Sequence, residues 1–228
     1  MWLEKAGQLE FRNSQLQAIS NFAELGDPVS VSITTSSLVA DNLEELVKAA
    51  TEAGAANILI EFCAATFENG QPKQGYMLPP DQMAAIIVTK YDQLIECSDG
   101  KLSIQQSLPF CLYPPGFLEK ADGHIMSGCH VMSRSGVIFT PEGGVLLCNC
   151  LHGFELGKLD VDFRDTETFN EFWQKKEVVH ANERLVCYPH RRCMDCKEYD
   201  KCCGGCPLQW FVFDPNIVLQ EHELCLVP

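Results

Sequence analysis

Cysteine is the residue type in this chain whose number and spacing ask for chemistry. Thirteen of the 228 residues are cysteine, and ten of them lie in the last 100. The densest run is Cys193-Met-Asp-Cys196, then five residues, Cys202, three residues and Cys206. A Cys-x-x-Cys pair brings two thiolates within reach of one metal centre, and the turn around it can aim backbone N–H groups at sulfur. Gly204 and Gly205, immediately before Cys206, allow a positive φ or a close approach of backbone to an inorganic group. Upstream, thirteen residues separate Cys129 from Gly143 and four separate Gly143 from Cys148, so a hairpin there carries a cysteine at each end. Cys225 completes a set of seven. A four-iron cube takes four thiolates, so seven exceed one cube and fall one short of two.

Composition narrows the setting of this chemistry. The formal net charge of −14 repels a phosphate backbone and gives no reason to bind nucleic acid or an anionic membrane. The opening MWLEKAGQLEF has acidic residues and no apolar run behind a basic one, so no signal peptide is expected. No stretch approaches the roughly 20 apolar residues that span a bilayer. The expectation is a soluble, cytoplasmic chain whose thiols stay reduced, where a cysteine-dense segment binds metal rather than forming disulfides.

In order and spacing the seven cysteines resemble the pattern of the SPASM domain. That domain is the C-terminal extension of radical S-adenosylmethionine (radical SAM) enzymes, a group that includes peptide maturases and anaerobic sulfatase-maturing enzymes. The resemblance covers about 100 residues, from Cys129 to Cys225. It implies two auxiliary 4Fe-4S clusters. The first would use Cys129, Cys148 and Cys206, with Cys111 of Leu108-Pro109-Phe110-Cys111 as the best candidate for the fourth ligand. The second would use Cys193, Cys196, Cys202 and Cys225. It also implies a peptide or protein substrate modified by hydrogen abstraction, and a reductant such as flavodoxin or ferredoxin.

One part of the family pattern is missing. The catalytic cluster of radical SAM enzymes sits on a Cys-x3-Cys-x2-Cys loop, and no such triplet occurs in this sequence. S-adenosylmethionine is therefore expected only if a missing N-terminal part or a partner chain supplies the loop, and whether the chain is itself an enzyme stays open. Two functions follow: the C-terminal portion of a radical SAM/SPASM enzyme, or a non-catalytic cluster-binding or peptide-recognition subunit paired with a separate radical SAM chain. A lesser alternative is a structural zinc protein on Cys193-x2-Cys196 and Cys203-x2-Cys206. Those pairs are six residues apart, against roughly 15 to 20 in zinc ribbons. Zinc would also leave Cys129, Cys148 and Cys225 unexplained.

The other cysteines, Cys63, Cys97, Cys150 and Cys187, read as ordinary thiols, although Cys150 and Cys203 each stand within two residues of a proposed ligand and can replace it. His130 adjoins Cys129 as an alternative ligand. The basic residues Arg184, Arg191, Arg192, Lys197 and Lys201 read either as a solvated loop or as compensation for anionic clusters.

The elements that must position these residues change character along the chain. Leu16, Ile19, Phe22 and Ala23 share a helical face, and Pro28 introduces the β-branched run Val29 to Thr34. Asp41 with Glu44 resembles a capping box ahead of Leu43, Leu46, Val47 and Ala50, and Asn57 to Phe62 reads as a buried strand. Met83, Ile86, Ile87, Tyr91 and Leu94 mark a third helix, and Leu102 to Gln106 a third strand. This alternation predicts an α/β fold with parallel strands. Parallel sheets are normally covered on both faces, and a complete barrel takes roughly 200 residues or more. Residues 1–106 also resemble the later units of the partial (β/α) barrel that precedes the SPASM domain, and this resemblance implies the C-terminal part of a radical SAM partial barrel. Ser32 and Glu61 lie in its predicted strands. Residues 107–228 are expected to form a small α+β, cysteine-rich SPASM domain. Its β-hairpin runs over Ser135 to Thr140 and Val145 to Cys148, followed by a helix over Asp165 to Lys176.

Overall fold

The computed structural model describes residues 6–68, 70–105, 107–126, 128–185 and 188–219. In chain order its elements begin with α1 (Ala6–Glu24), β1 (Ser30–Thr35), α2 (Leu43–Glu52), β2 (Asn57–Phe62), β3 (Thr66–Glu68), β4 (Gln71–Lys73) and α3 (Pro80–Cys97). Next come β5 (Leu102–Gln105), α4 (Phe117–Lys120), β6 (Ile125–Met126), α5 (His130–Ser133), β7 (Ile138–Phe139), β8 (Gly144–Leu146) and β9 (Gly157–Lys158). Then follow α6 (Thr166–Trp173), α7 (Lys176–Leu185), α8 (Tyr199–Cys202) and α9 (Pro215–Val218). They sort into two compact units. The first contains Met1–Cys63, Tyr76–Gln106 and Tyr113–Met126; the second contains Ala64–Gly75, Ser107–Leu112 and Ser127–Pro228.

The first unit is mixed α/β, built on a four-stranded parallel sheet in the order β1-β2-β5-β6. Its register decides which residues share a face. Ile58 stands beside Leu102 and Ile60 beside Ile104, and all four are buried. Leu43, Val47 and Ala50 of α2 and Met83, Ile87 and Leu94 of α3 are buried at helical spacing, and the two helices pack together. The other sheet face is polar: Ser30, Ser32 and Thr34 are exposed and Glu61 and Ser103 half-buried, with Ser32 Oγ donating to Glu61 Oε2 at 2.9 Å. Among the described residues nothing closes the sheet into a barrel, and it ends at β1 on one side and β6 on the other.

Several local expectations are corrected here. The sheet has a fourth strand, the two-residue β6, beside the expected three. The Asp41–Glu44 capping box does not form. Asp41 lies in a 3-10 turn over Ala40–Asn42, and Asn42 caps α2 without a side-chain bond. Glu44 instead pairs with Lys90 of α3, since a partly buried cation is a better partner than an already solvated amide. Phe22, expected on the inner face of α1, is 54% exposed, whereas Leu16, Ile19 and Ala23 are half-buried.

The second unit has a thinner core. The expected hairpin exists but is shorter, pairing Ile138 with Leu146 and Phe139 with Val145, so Cys148 lies beyond its strand; β9 adds a third strand on Val145. Val145, Phe163, Phe172 and Val178 are buried together, with Phe169 and Trp173 packed around them. The helix expected from Asp165 to Lys176 stops at Trp173 and α7 restarts at Lys176. Asp165 caps α6, accepting from Thr168 N at 2.8 Å while Thr168 Oγ1 accepts from Asp165 N, a capping box in which threonine takes the usual glutamate position. Among the described residues no helix is long and apolar enough to cross a membrane.

Candidate metal centre

Short turns carry the proposed ligands, and every described one lies in the second unit. Cys111 is inside the 3-10 turn Phe110–Leu112, Cys129 is the N-cap of α5, and Cys148 follows β8. Cys193 lies in the 3-10 turn Arg191–Asp195 with Cys196 as its C-cap. Cys202 ends α8, and Cys206 caps the 3-10 turn Pro207–Phe211. The described cysteines are half-buried. Cys225, the fourth proposed ligand of the second cluster, and Cys187 lie outside the described residues.

Several of the described thiols lie within electrostatic reach of one another. Cys206 senses the charges of Cys129 and Cys148. Burial pushes its thiol up to about 12, while the backbone N–H groups of Leu208 and Gln209 act on the sulfur in the opposite direction. Cys148 is held down at about 6, first by a hydrogen bond from the Cys150 thiol, against burial, and then by the Cys150 amide and the field of His130. Backbone links tie Ser107, in the segment that leads to Cys111, to the same loops. The Ser107 carbonyl accepts from Cys206 N at 2.8 Å, and Ser107 Oγ donates to the Gly128 carbonyl at 2.7 Å. One residue thus ties together the loops of Cys206 and Cys129, four positions ahead of Cys111.

The second group is Cys193, Cys196 and Cys202. Burial raises the Cys193 thiol, and it senses the charges of Cys202 and Cys196. Gly204 N donates to Cys202 Sγ at 3.3 Å, an amide-to-sulfur bond of the kind that stabilises a cluster-bound thiolate. Cys203 senses both Cys202 of this group and Cys129 of the first, so its position agrees with a substitute ligand.

Gly204 and Gly205 make the junction between the groups sterically possible. Their φ values are +71° and +81°, in the left-handed region that disfavours a side chain. A Cβ on Gly204 would meet Pro189 at 2.6 Å, and one on Gly205 would meet Gln209 Nε2 at 2.5 Å and Pro109 Cδ at 2.7 Å.

Two features of the site carry no mark in the sequence. Gln209 is fully buried, and neither Nε2 nor Oε1 has a hydrogen-bond partner. A cavity of about 530 Å³ opens beside the Cys148 turn, lined by Phe67, Leu147, Leu151, Phe154, Arg184 and Phe211 among others.

The thiols are soft donors, and two of them accept a backbone N–H, Cys148 from Cys150 and Cys202 from Gly204, a donor set that iron-sulfur clusters accept. Among the described residues no three of His, Cys, Asp and Glu are gathered to hold a single metal ion. No family model, curated protein or solved structure matches this chain.

Proposed function

We propose that the second unit holds two 4Fe-4S clusters, one on Cys129, Cys148 and Cys206 with Cys111, the other on Cys193, Cys196 and Cys202 with Cys225. The chain is on this reading the C-terminal part of a radical SAM/SPASM enzyme of the peptide- or protein-maturase type. What supports it is the placement of the thiols: Ser107 bonds both Cys206 N and the Gly128 carbonyl beside Cys129, with Cys148 also within electrostatic reach of Cys206, and Cys193 lies within such reach of Cys196 and Cys202. Such clusters, when bound, supply one-electron storage and transfer. The chain's own residues hold the thiolates, direct amides at sulfur and, at Cys206, keep water away. A flavodoxin or ferredoxin is the fitting reductant, the cytoplasm the fitting compartment, and S-adenosylmethionine chemistry needs a Cys-x3-Cys-x2-Cys loop that this sequence does not contain.

Anaerobic reconstitution tests the proposal. The chain should be brown and bind about eight irons, and Cys148→Ala and Cys196→Ala should each remove about four. Stoichiometric zinc, with no charge-transfer absorbance in the visible, would sink it.

A second reading is a non-catalytic subunit that recognises a peptide and pairs with a separate radical SAM chain. It is favoured by the uncovered polar face of the parallel sheet and by the aromatic cavity beside Cys148. Co-purification with a chain bearing the triplet supports this reading; cluster-loaded chain that never acquires such a partner in its native cells removes it.

A further inference from the structure

Among the described residues, Gln209 alone buries both polar atoms of its side chain with no hydrogen-bond partner for either. Leaving a buried amide unpaired forfeits its hydration without return, so native proteins rarely keep one without a reason. Its position supplies the reason. Gln209 sits in the turn Pro207–Phe211 that Cys206 caps, and its Nε2 occupies the space where a Cβ of residue 205 would stand, at 2.5 Å. Gly205 is fixed by the Cys206 N to Ser107 carbonyl bond and by Pro109, which would lie 2.7 Å from the same Cβ. The amide thus lies against Gly205, next to Cys206 in the chain. No protein acceptor bonds Nε2, which can only donate.

We infer that Gln209 is a positioning residue that donates a hydrogen bond from Nε2 to sulfur of the cluster held by Cys129, Cys148 and Cys206, raising that cluster's reduction potential relative to an apolar residue at the same place. The inference rests on the proposed cluster assignment and deepens it. The physical ground is charge. Reduction adds an electron to the cluster and makes its sulfur more negative, so an N–H donor stabilises the reduced form more than the oxidised one. The amide stays neutral in both states, and no proton is transferred. Among the described residues Gln209 has no counterpart at the second group, where the Gly204 amide already serves Cys202. The two clusters are therefore tuned separately, with the first made easier to reduce.

Potentiometric EPR titration of the reconstituted full chain tests this, with iron content read on the same samples. Gln209→Leu should lower the reduced-to-oxidised ratio of one cluster about tenfold at fixed potential, a 59 mV shift for one electron, while the other cluster keeps its midpoint. Gln209→Met, unbranched and close in length, should do the same, which protects the test from a packing defect of leucine. Repeating the titration in Cys196→Ala, which retains only the first cluster, should reproduce the shift. Eight irons with unchanged midpoints in both variants, or an equal shift of both clusters, overturns the role of Gln209 and leaves the cluster assignment standing. Zinc in place of iron overturns both.

Discussion

The first unit is held together by a continuous buried core, and the second buries far less. Ile58, Ile60, Leu102 and Ile104 on one sheet face and Leu43, Val47, Met83, Ile87 and Leu94 on the helices form a continuous buried set, and the two cysteines of that unit, Cys63 and Cys97, have no place among the proposed ligands. The second unit buries a smaller aromatic cluster around Phe163 and Phe172. From Tyr188 to Cys206 it buries only the backbone of Gly204 and Gly205. A segment that buries so little apolar surface cannot offset the entropy of ordering its backbone, roughly 1 to 2 kcal/mol per residue. Thiols placed in turns there make sense if metal supplies the missing stabilisation.

The largest effect expected from this contrast is that of iron removal. Chelation should strip amide-exchange protection from residues 188–206 and leave α2, α3, β2 and β5 protected. Equal loss in both units would break the distinction. Next comes Ile60→Ala, at a side chain 1% exposed in the sheet core. It should cost about 2 to 5 kcal/mol in denaturant unfolding of the first unit, with iron content unchanged. Gly205→Ala should cost about 1 to 3 kcal/mol through its left-handed backbone, and should also remove about half the iron, because the new Cβ displaces Gln209 or Pro109. Smallest is Lys48→Ala, at an exposed pair with Glu52 spaced 3.9 Å, which should shift stability by less than about 0.5 kcal/mol.

Period and composition made the first unit's order of helix and strand legible. Met83, Ile87 and Leu94 announced the buried side of α3, and Ile58, Ile60 and Phe62 that of β2. Two-residue strands such as β6 and β9 have no period to read, since they exist only where a neighbouring strand offers free backbone groups. Asp41 carried the letters of a cap but not the geometry, whereas the Asp165–Thr168 box went unread because threonine stood where glutamate is usual. At the candidate site the cysteine spacing carried the resemblance from which the two groups are proposed. The link of Ser107 to both Gly128 and Cys206, and the burial of Gln209, depend on distant segments meeting, and no local pattern encodes them.

The same Ser107–Cys206 bond joins residues roughly a hundred positions apart, and the second unit's earliest pieces, Ala64–Gly75 and Ser107–Leu112, interrupt the run of the first. Synthesis proceeds from the N-terminus, so the sheet of the first unit is available once Met126 has emerged, while Cys111 must wait for Cys148 and Cys206. Under the proposed assignment of Cys111, its cluster could be completed only after Cys148 and Cys206 had emerged, so cluster delivery would come late in synthesis.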